Sequence, residues 1–234
     1  AADASMRNLP ERMDRGALIM KVDRKETLRY LGYGRQEADG QTLQLLEEVA
    51  AELEADSMPK SIYREYGCEV EGDKVLFGGL AVTSASLARN LKGCRRVALL
   101  AATIGRTADL MIKKYSVLNL AKAAIVQAAG AAYIESYLDE ISAEIKKDAQ
   151  GRGLYLRPRF SPGYGDFSLE YQKDILAMLE CSKRIGVTLT AGNLMMPSKS
   201  VTALIGLTPA RGQSCQMPSC SQCGKTDCEF RQEE

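Results

Sequence analysis

Leu156–Tyr171, LRPRFSPGYGDFSLEY, is a turn rich in arginine, proline and glycine that runs straight into a helical pattern. Its prolines and glycines impose a tight, irregular backbone, and irregular backbone held by a rigid scaffold is where ligand contacts concentrate. Arg159 presents a planar fork of donors suited to a carboxylate. The N–H groups around Gly163–Gly165 lie where a helix begins, so they can turn toward a polar ligand. Taken alone, the same features describe an ordinary surface turn with a solvated arginine.

Working outward, the apolar spacing predicts a short helix over Glu26–Tyr33, stopped near Gly32 and Gly34, and a stronger one over Gly40–Asp56. Lys60–Phe77 alternates and breaks at Glu71-Gly72-Asp73-Lys74, the pattern of a β-hairpin. Thr83 or Ser84 is placed to cap a helix reaching Leu91. Arg96–Thr103 reads as a buried strand, followed by a helix after Gly105. Val117–Ile145 reads as one long helix with alanine-dense first half, small side chains that let another element or a flat ligand come close; tight packing against a sheet is the simpler account. A polar link (Lys146–Gly153) precedes the turn, and a helix from Ser168 to Cys181 and short strands near Val187–Thr190 and Ser200–Gly206 follow it. The layout is α+β, with a mixed or antiparallel twisted sheet under long packed helices.

The 234 residues suffice for one substantial core, and 45% hydrophobic with 26% charged residues is an ordinary globular balance. A net charge of +1 supplies no global field for nucleic acid or an anionic membrane. No apolar run approaches the ~20 residues needed to cross a bilayer. Residues 1–19 lack a continuous apolar signal core and read as a flexible leader or tag remnant, with Met20 the expected native start and the cytoplasm the expected location. The main domain is expected over residues 20–209. Histidine is absent, which excludes a histidine general base, a Ser-His-Asp or Cys-His pair and any mixed Cys/His metal site.

Arg159, Gly163 and Tyr164 form an RxxxGY pattern that resembles the S-adenosylmethionine-binding motif of the activation domain of cobalamin-dependent methionine synthase. Leu194-Met195-Met196-Pro197-Ser198-Lys199-Ser200-Val201 resembles that domain's second characteristic segment, and the resemblance covers residues 95–207. The SPGYGDFSLEYQKDI wording is closest to the stand-alone form of the domain. The resemblance implies a subunit that binds S-adenosylmethionine and offers its methyl group to cob(II)alamin on a cobalamin-binding methionine synthase core. A flavodoxin- or ferredoxin-like donor supplies the electron, and the products are methylcobalamin and S-adenosylhomocysteine (AdoHcy). With no histidine here, any imidazole beneath the cobalt comes from the partner.

The same resemblance assigns Arg159 to the ligand carboxylate and the backbone of Ser161, Pro162, Gly163, Tyr164 and Gly165 to its amino-acid and adenine portions. Tyr164 would pack on the ligand or toward the corrin, while Asp166 and Glu135 are candidates for the sulfonium or the ribose hydroxyls. The chain departs from the longer family members where Gly165-Asp166-Phe167-Ser168 replaces a Cys-Pro-Asp-His run, and where a cysteine-rich segment replaces the stretch after Ser-Val. Two other readings stand beside this one: a reductive activator of another corrinoid methyltransferase using an iron–sulfur relay, and a non-catalytic adaptor with a zinc tail.

Beyond Pro209 the composition changes, and residues 210–234 read as a separate tail. Four of the seven cysteines fall there, Cys215, Cys220, Cys223 and Cys228, spaced x4, x2 and x4. Four soft ligands in a Gly/Ser/Pro-rich segment suit zinc or an iron–sulfur cluster. The spacing leaves zinc and iron–sulfur equally open. Cys68, Cys94 and Cys181 are scattered and read as small core residues. Anaerobically purified protein is expected to carry about one metal centre per chain at the four tail thiolates, since ligation supplies folding free energy to a segment with little apolar content. Metal analysis with thiol counting checks this, and four free thiols with neither zinc nor iron would refute it.

Overall fold

The computed structural model describes residues 20–33 and 36–210; the expected leader, Gly34 and the cysteine segment with Cys215, Cys220, Cys223 and Cys228 lie outside the described residues. Helices α1 (Arg24–Tyr30) and α2 (Gly40–Asp56) are each started by an aspartate, Asp23 or Asp39, whose side chain accepts a backbone N–H three residues on. Strands β1 (Lys60–Glu71), β2 (Lys74–Phe77) and β3 (Leu80–Thr83) form a meander, followed by α3 (Ala85–Asn90) and β4 (Arg96–Thr103). Then come α4 (Thr107–Leu118), α5 (Leu120–Gly151) and β5 (Tyr155–Leu156). After a 3₁₀ turn at Leu169–Tyr171, α6 (Gln172–Met178), α7 (Cys181–Arg184), β6 (Thr188–Leu189), β7 (Met195–Met196) and β8 (Ser200–Thr208) complete the described chain. No helix among the described residues is long and apolar enough to cross a membrane.

Six strands pair in the order β3-β2-β1-β4-β8-β5, every neighbour antiparallel, and β6 pairs with β7 apart from them. The sheet is buried on both faces. Ala98, Leu100 and Ala102 of β4 meet Val49 and Leu53 of α2, Met111 of α4 and Ile134, Leu138 and Ile141 of α5. Val97, Leu99 and Ala101, one residue out of step, meet Leu87 and Leu91, Phe160 and Phe167, and Ile175 and Leu179. Successive strand side chains point to opposite faces, so a strand covered on both sides reads as an unbroken apolar run. That is the pattern of Arg96–Thr103.

Three expectations are corrected. Val117–Ile145 is divided at Asn119, whose extended backbone (φ −162°, ψ 97°) ends α4 and whose side chain accepts the Lys122 N–H to start α5. Asparagine competes with helix continuation by making such local bonds, and tertiary packing gives it the cap position. The apolar residues beside it, Val117, Leu118 and Leu120, are exposed. The expected link Lys146–Gly153 is mostly helix, because Ile145 and Ala149, four residues apart, keep one face buried while the lysines face water. The third correction is the Ser168–Cys181 helix, interrupted at Glu180, which adopts a left-handed conformation (φ 52°). Arg64 holds that break: it donates to the Met178 carbonyl at 2.9 Å and pairs with the Glu180 carboxylate, which also takes Arg184.

The far end of α5 is fastened by Glu65 of β1, whose side chain is 1% exposed and takes Arg96 at 3.0 Å and Arg152 at 2.9 Å. Burial opposes the Glu65 charge, yet the hydrogen bonds from Arg152 and Arg96 together hold its carboxyl below the usual range. Near its start, α5 takes Lys199 across Gly130, whose missing side chain leaves the lysine stem 3.1 Å from where a Cβ would stand. Small residues in this helix thus admit a side chain from the Met-Pro segment. The Lys199 ammonium donates to the Gln127 carbonyl at 3.0 Å.

Gly206 of β8 is a tight point on the other face. A Cβ there would lie 2.6 Å from Cys94 Sγ, 2.7 Å from Leu91 Cδ2 and 3.1 Å from Arg157 Cγ. Gly206→Ala is expected to cost about 1–3 kcal/mol through overpacking. A urea midpoint equal to that of the parent protein would show that this layer can yield.

Candidate functional site

The sheet ends at β5, a strand of two residues, and α5 overhangs that edge. Between them runs a groove of about 610 Å³. Asp139, Ser142, Ala143, Lys146 and Gln150 of α5 form one wall; Tyr155–Arg159 form the other, with Ile205, Thr208 and Ala210 closing the floor and rim. Its walls combine apolar surface from Ala143, Leu156, Pro158 and Ile205 with a few polar groups, the usual composition of a small-molecule site. Asp139 and Lys146 are seven residues apart on one helix, about 10 Å along its axis.

Arg159 stands at one end of the groove. Its Nη2 meets Glu135 at 2.9 Å, and its Nη1 meets Asp139 at 3.0 Å and Ser142 Oγ at 3.4 Å. Residues 135, 139 and 142 lie on one face of α5, at i, i+4 and i+7, so a single helical stripe brackets the guanidinium. Burial pushes the Glu135 carboxyl above its ordinary range, with Arg159 pulling the other way and Asp139 and Glu26 adding to the rise. Arg157 turns to the opposite face, where it is buried, donates to the Lys92 carbonyl at 2.9 Å and packs beside Cys94. Burial raises the Cys94 thiol, and Arg157 offsets part of that rise. Both arginines of the turn belong to the groove wall, and Arg159 is the one that pairs with the charged face of α5.

The rest of the turn folds away from the groove, whose lining includes none of Ser161, Pro162, Gly163, Tyr164, Gly165 or Asp166. The Gly163 N–H donates to the Phe167 carbonyl at 2.7 Å and the Tyr164 N–H to the Ser161 carbonyl at 3.1 Å, so both amides are engaged inside the turn. Gly163 and Gly165 adopt φ of 94° and 56°, which only glycine accepts readily, and Gly165 abuts Ser86. Pro162 is buried. Tyr164 is 48% exposed and sets its ring edge-on to Phe160, centroids 5.9 Å apart.

Asp166 anchors the turn to α3. Its carboxylate accepts from Ser84 Oγ at 2.6 Å, from the Ala85 N–H at 2.8 Å and from the Ser86 N–H at 3.0 Å. Lys199 and the Met-Pro segment contact α5 at Gln127–Gly130, about 18 Å along the helix from Asp139. The two motifs of the sequence therefore grip the same helix at separate levels. Among the described residues, no group of three or more Cys, His, Asp or Glu is arranged to hold a metal ion.

Sequence reasoning singled out Arg159 and Glu135, which the structure pairs directly. It missed Asp139, Ser142, Lys146, Gln150 and Tyr155. The signal for the α5 members was available, since positions 135, 139, 142 and 146 share one helical face. The Tyr155 wall was not legible, because a two-residue strand leaves no periodicity.

Comparison with known proteins bears on the fold. No protein-family model matches the chain, and no curated protein matches it in sequence. Among solved structures, the fold defines a clear class: an antiparallel sheet with a long helix, as in methionine synthase reactivation domains. The structure described as the "MetH Reactivation Domain bound to AdoHcy" superposes with a TM-score of 0.63 over 88% of this chain and 81% of that one, at 12% identity. The chain has that domain's fold.

The Asp166 anchor has a pH signature. Hydrogen bonds from Ser84 first, then from the Ser86 and Ala85 amides, hold its carboxyl far below the usual carboxylate range. A carboxyl depressed in the folded state stabilises the fold above its unfolded pKa of about 3.9 and loses that contribution as pH falls into acid. Asp166→Asn is expected to be less stable at neutral pH and to lose stability less steeply on acidification. Equal pH slopes for the two proteins in denaturant titrations would show that the anchor contributes nothing.

Proposed function

We propose that the protein binds S-adenosylmethionine in the groove between α5 and β5 and acts as the reactivation subunit of a cobalamin-dependent methionine synthase. The observation that carries this reading is Arg159, the arginine of the RxxxGY pattern. It is held by Glu135 and Asp139 at the end of a groove in a chain that shares the fold of a domain bound to AdoHcy. An elongated ligand with a charged amino-acid head and a flat nucleoside body fits this chemistry. The head meets Arg159, and the body lies along the apolar wall toward Tyr155, Lys146 and Gln150.

The cofactor on the partner core supplies the reduced cobalt that takes the methyl group, the electron coming from a flavodoxin- or ferredoxin-like donor. The work of this chain is positioning. Arg159 fixes the ligand carboxylate with a charge-assisted pair. Glu135 and Ser142 on α5 hold the guanidinium in place, so less side-chain freedom remains to be lost on binding. Transfer of a sulfonium methyl needs orientation more than proton transfer, which suits a chain with no histidine. A reducing cytoplasm fits the three buried free thiols, Cys68, Cys94 and Cys181.

One observation favours a second reading, in which Cys215, Cys220, Cys223 and Cys228 carry an iron–sulfur relay for a corrinoid methyltransferase. Ala210, the last described residue, lines the groove, so the chain enters its cysteine segment from the rim of the candidate site.

Calorimetric titration with S-adenosylmethionine tests the first reading. Binding is expected, and Arg159→Ala is expected to weaken it by about 2–4 kcal/mol. Mixing the protein with a cobalamin-binding core, reductant and S-adenosylmethionine is expected to give methylcobalamin faster than the core alone. Arg159→Ala with parental affinity would remove the carboxylate role, and equal rates with and without the protein would end the reactivation reading.

A further inference from the structure

Arg159 already has two anionic partners. Glu135 and Asp139 take opposite arms of its guanidinium at 2.9 and 3.0 Å. The three side chains together carry one more negative charge than positive. A ligand offering only a carboxylate would sit against both acids, and closely placed like charges oppose binding. A ligand bearing a cation beside its carboxylate does not meet that difficulty.

The two acids are not equivalent. Asp139 lines the groove and its side chain is 75% exposed, whereas Glu135 is 44% exposed and outside the groove lining. An exposed pair is weakened by solvent and is the easier of the two to open. Glu135 and Ser142 keep holding Arg159 when Asp139 lets go.

We infer that Asp139 is the ammonium-binding residue of the groove and makes the site selective for the zwitterion of an α-amino acid. The ligand carboxylate takes the Nη1 arm of Arg159 that Asp139 releases, and the ligand ammonium takes the Asp139 carboxylate. One ion pair is replaced by two, and no charge is left without a partner. This inference rests on the reading that the groove holds a ligand with an amino-acid head, and it adds a residue that neither sequence motif contains.

The test is calorimetry on the full chain with AdoHcy and with its desamino analogue, the same thioether nucleoside lacking only the α-amino group. The parent protein is expected to prefer AdoHcy by about tenfold to a hundredfold, the range of a charged hydrogen-bonded contact. Asp139→Asn is expected to lose that preference, mostly through weaker AdoHcy binding, and Asp139→Glu to retain most of it. A preference unchanged in Asp139→Asn, or both compounds weakened equally, would overturn the ammonium role while leaving the proposed function standing. No AdoHcy binding by the parent protein would overturn both.

Discussion

Because β4 is apolar on both of its faces, the sheet must be covered twice, and the positions of most other elements follow from that requirement. Leu99 and Leu100 point in opposite directions and both are fully buried. Each buried aliphatic side chain contributes about 1.5–3 kcal/mol by leaving water, so neither face can be left bare. Helices α1, α2, α4 and α5 close one side; α3, α6 and α7 close the other with Phe160 and Phe167. The 32-residue α5 is longer than the strands beneath it, and its second half projects past β8 over the short strand β5. The groove is the space left where a long helix meets the edge of a narrowing sheet.

The same geometry explains why the turn after β5 divides its labour. Arg159 faces α5 and meets a stripe of polar side chains at helical spacing. Phe160, the next residue, pairs with Leu204 and enters the core on the opposite face. From there the chain is committed to the α3 side, where Asp166 caps the helix and Phe167 is buried. The motif therefore works as a staple across the sheet edge: one end holds the charged groove residue and the other locks into the second layer. The arginine is thereby anchored through the backbone on both sides of it.

Charge is distributed with similar economy. Glu65 joins Arg96 and Arg152 at the end of α5, and Glu180 joins Arg64 and Arg184 where α6 stops. In both places a carboxylate bridging two arginines fixes a helix terminus. The cluster at Arg159 inverts this ratio, with two carboxylates around one arginine. The excess of carboxylate is local to Arg159, since Lys146 stands on the same face of α5 two turns further along the groove.

The sequence by itself determined the elements whose signals are local. Asp39 and the periodic apolar residues after it set α2, the Gly72-Asp73 turn set the β1–β2 hairpin, and the unbroken apolar run set β4. Arg159 and Glu135 could be singled out by side-chain chemistry and resemblance, but that the two meet each other was not legible. What only the tertiary structure decided depends on contacts between distant segments. Asn119 ends one helix and begins the next because packing places α4 and α5 as separate rods; the apolar residues beside it give no hint of a break. Glu180 becomes left-handed because Arg64, 116 residues earlier, takes its carboxylate and the nearby carbonyl. Asp166 became a helix cap once α3 arrived from 80 residues away. The pairing of Arg159 with Asp139 likewise waits on the fold, because a helix face and a strand edge acquire a common site only when the core between them has formed.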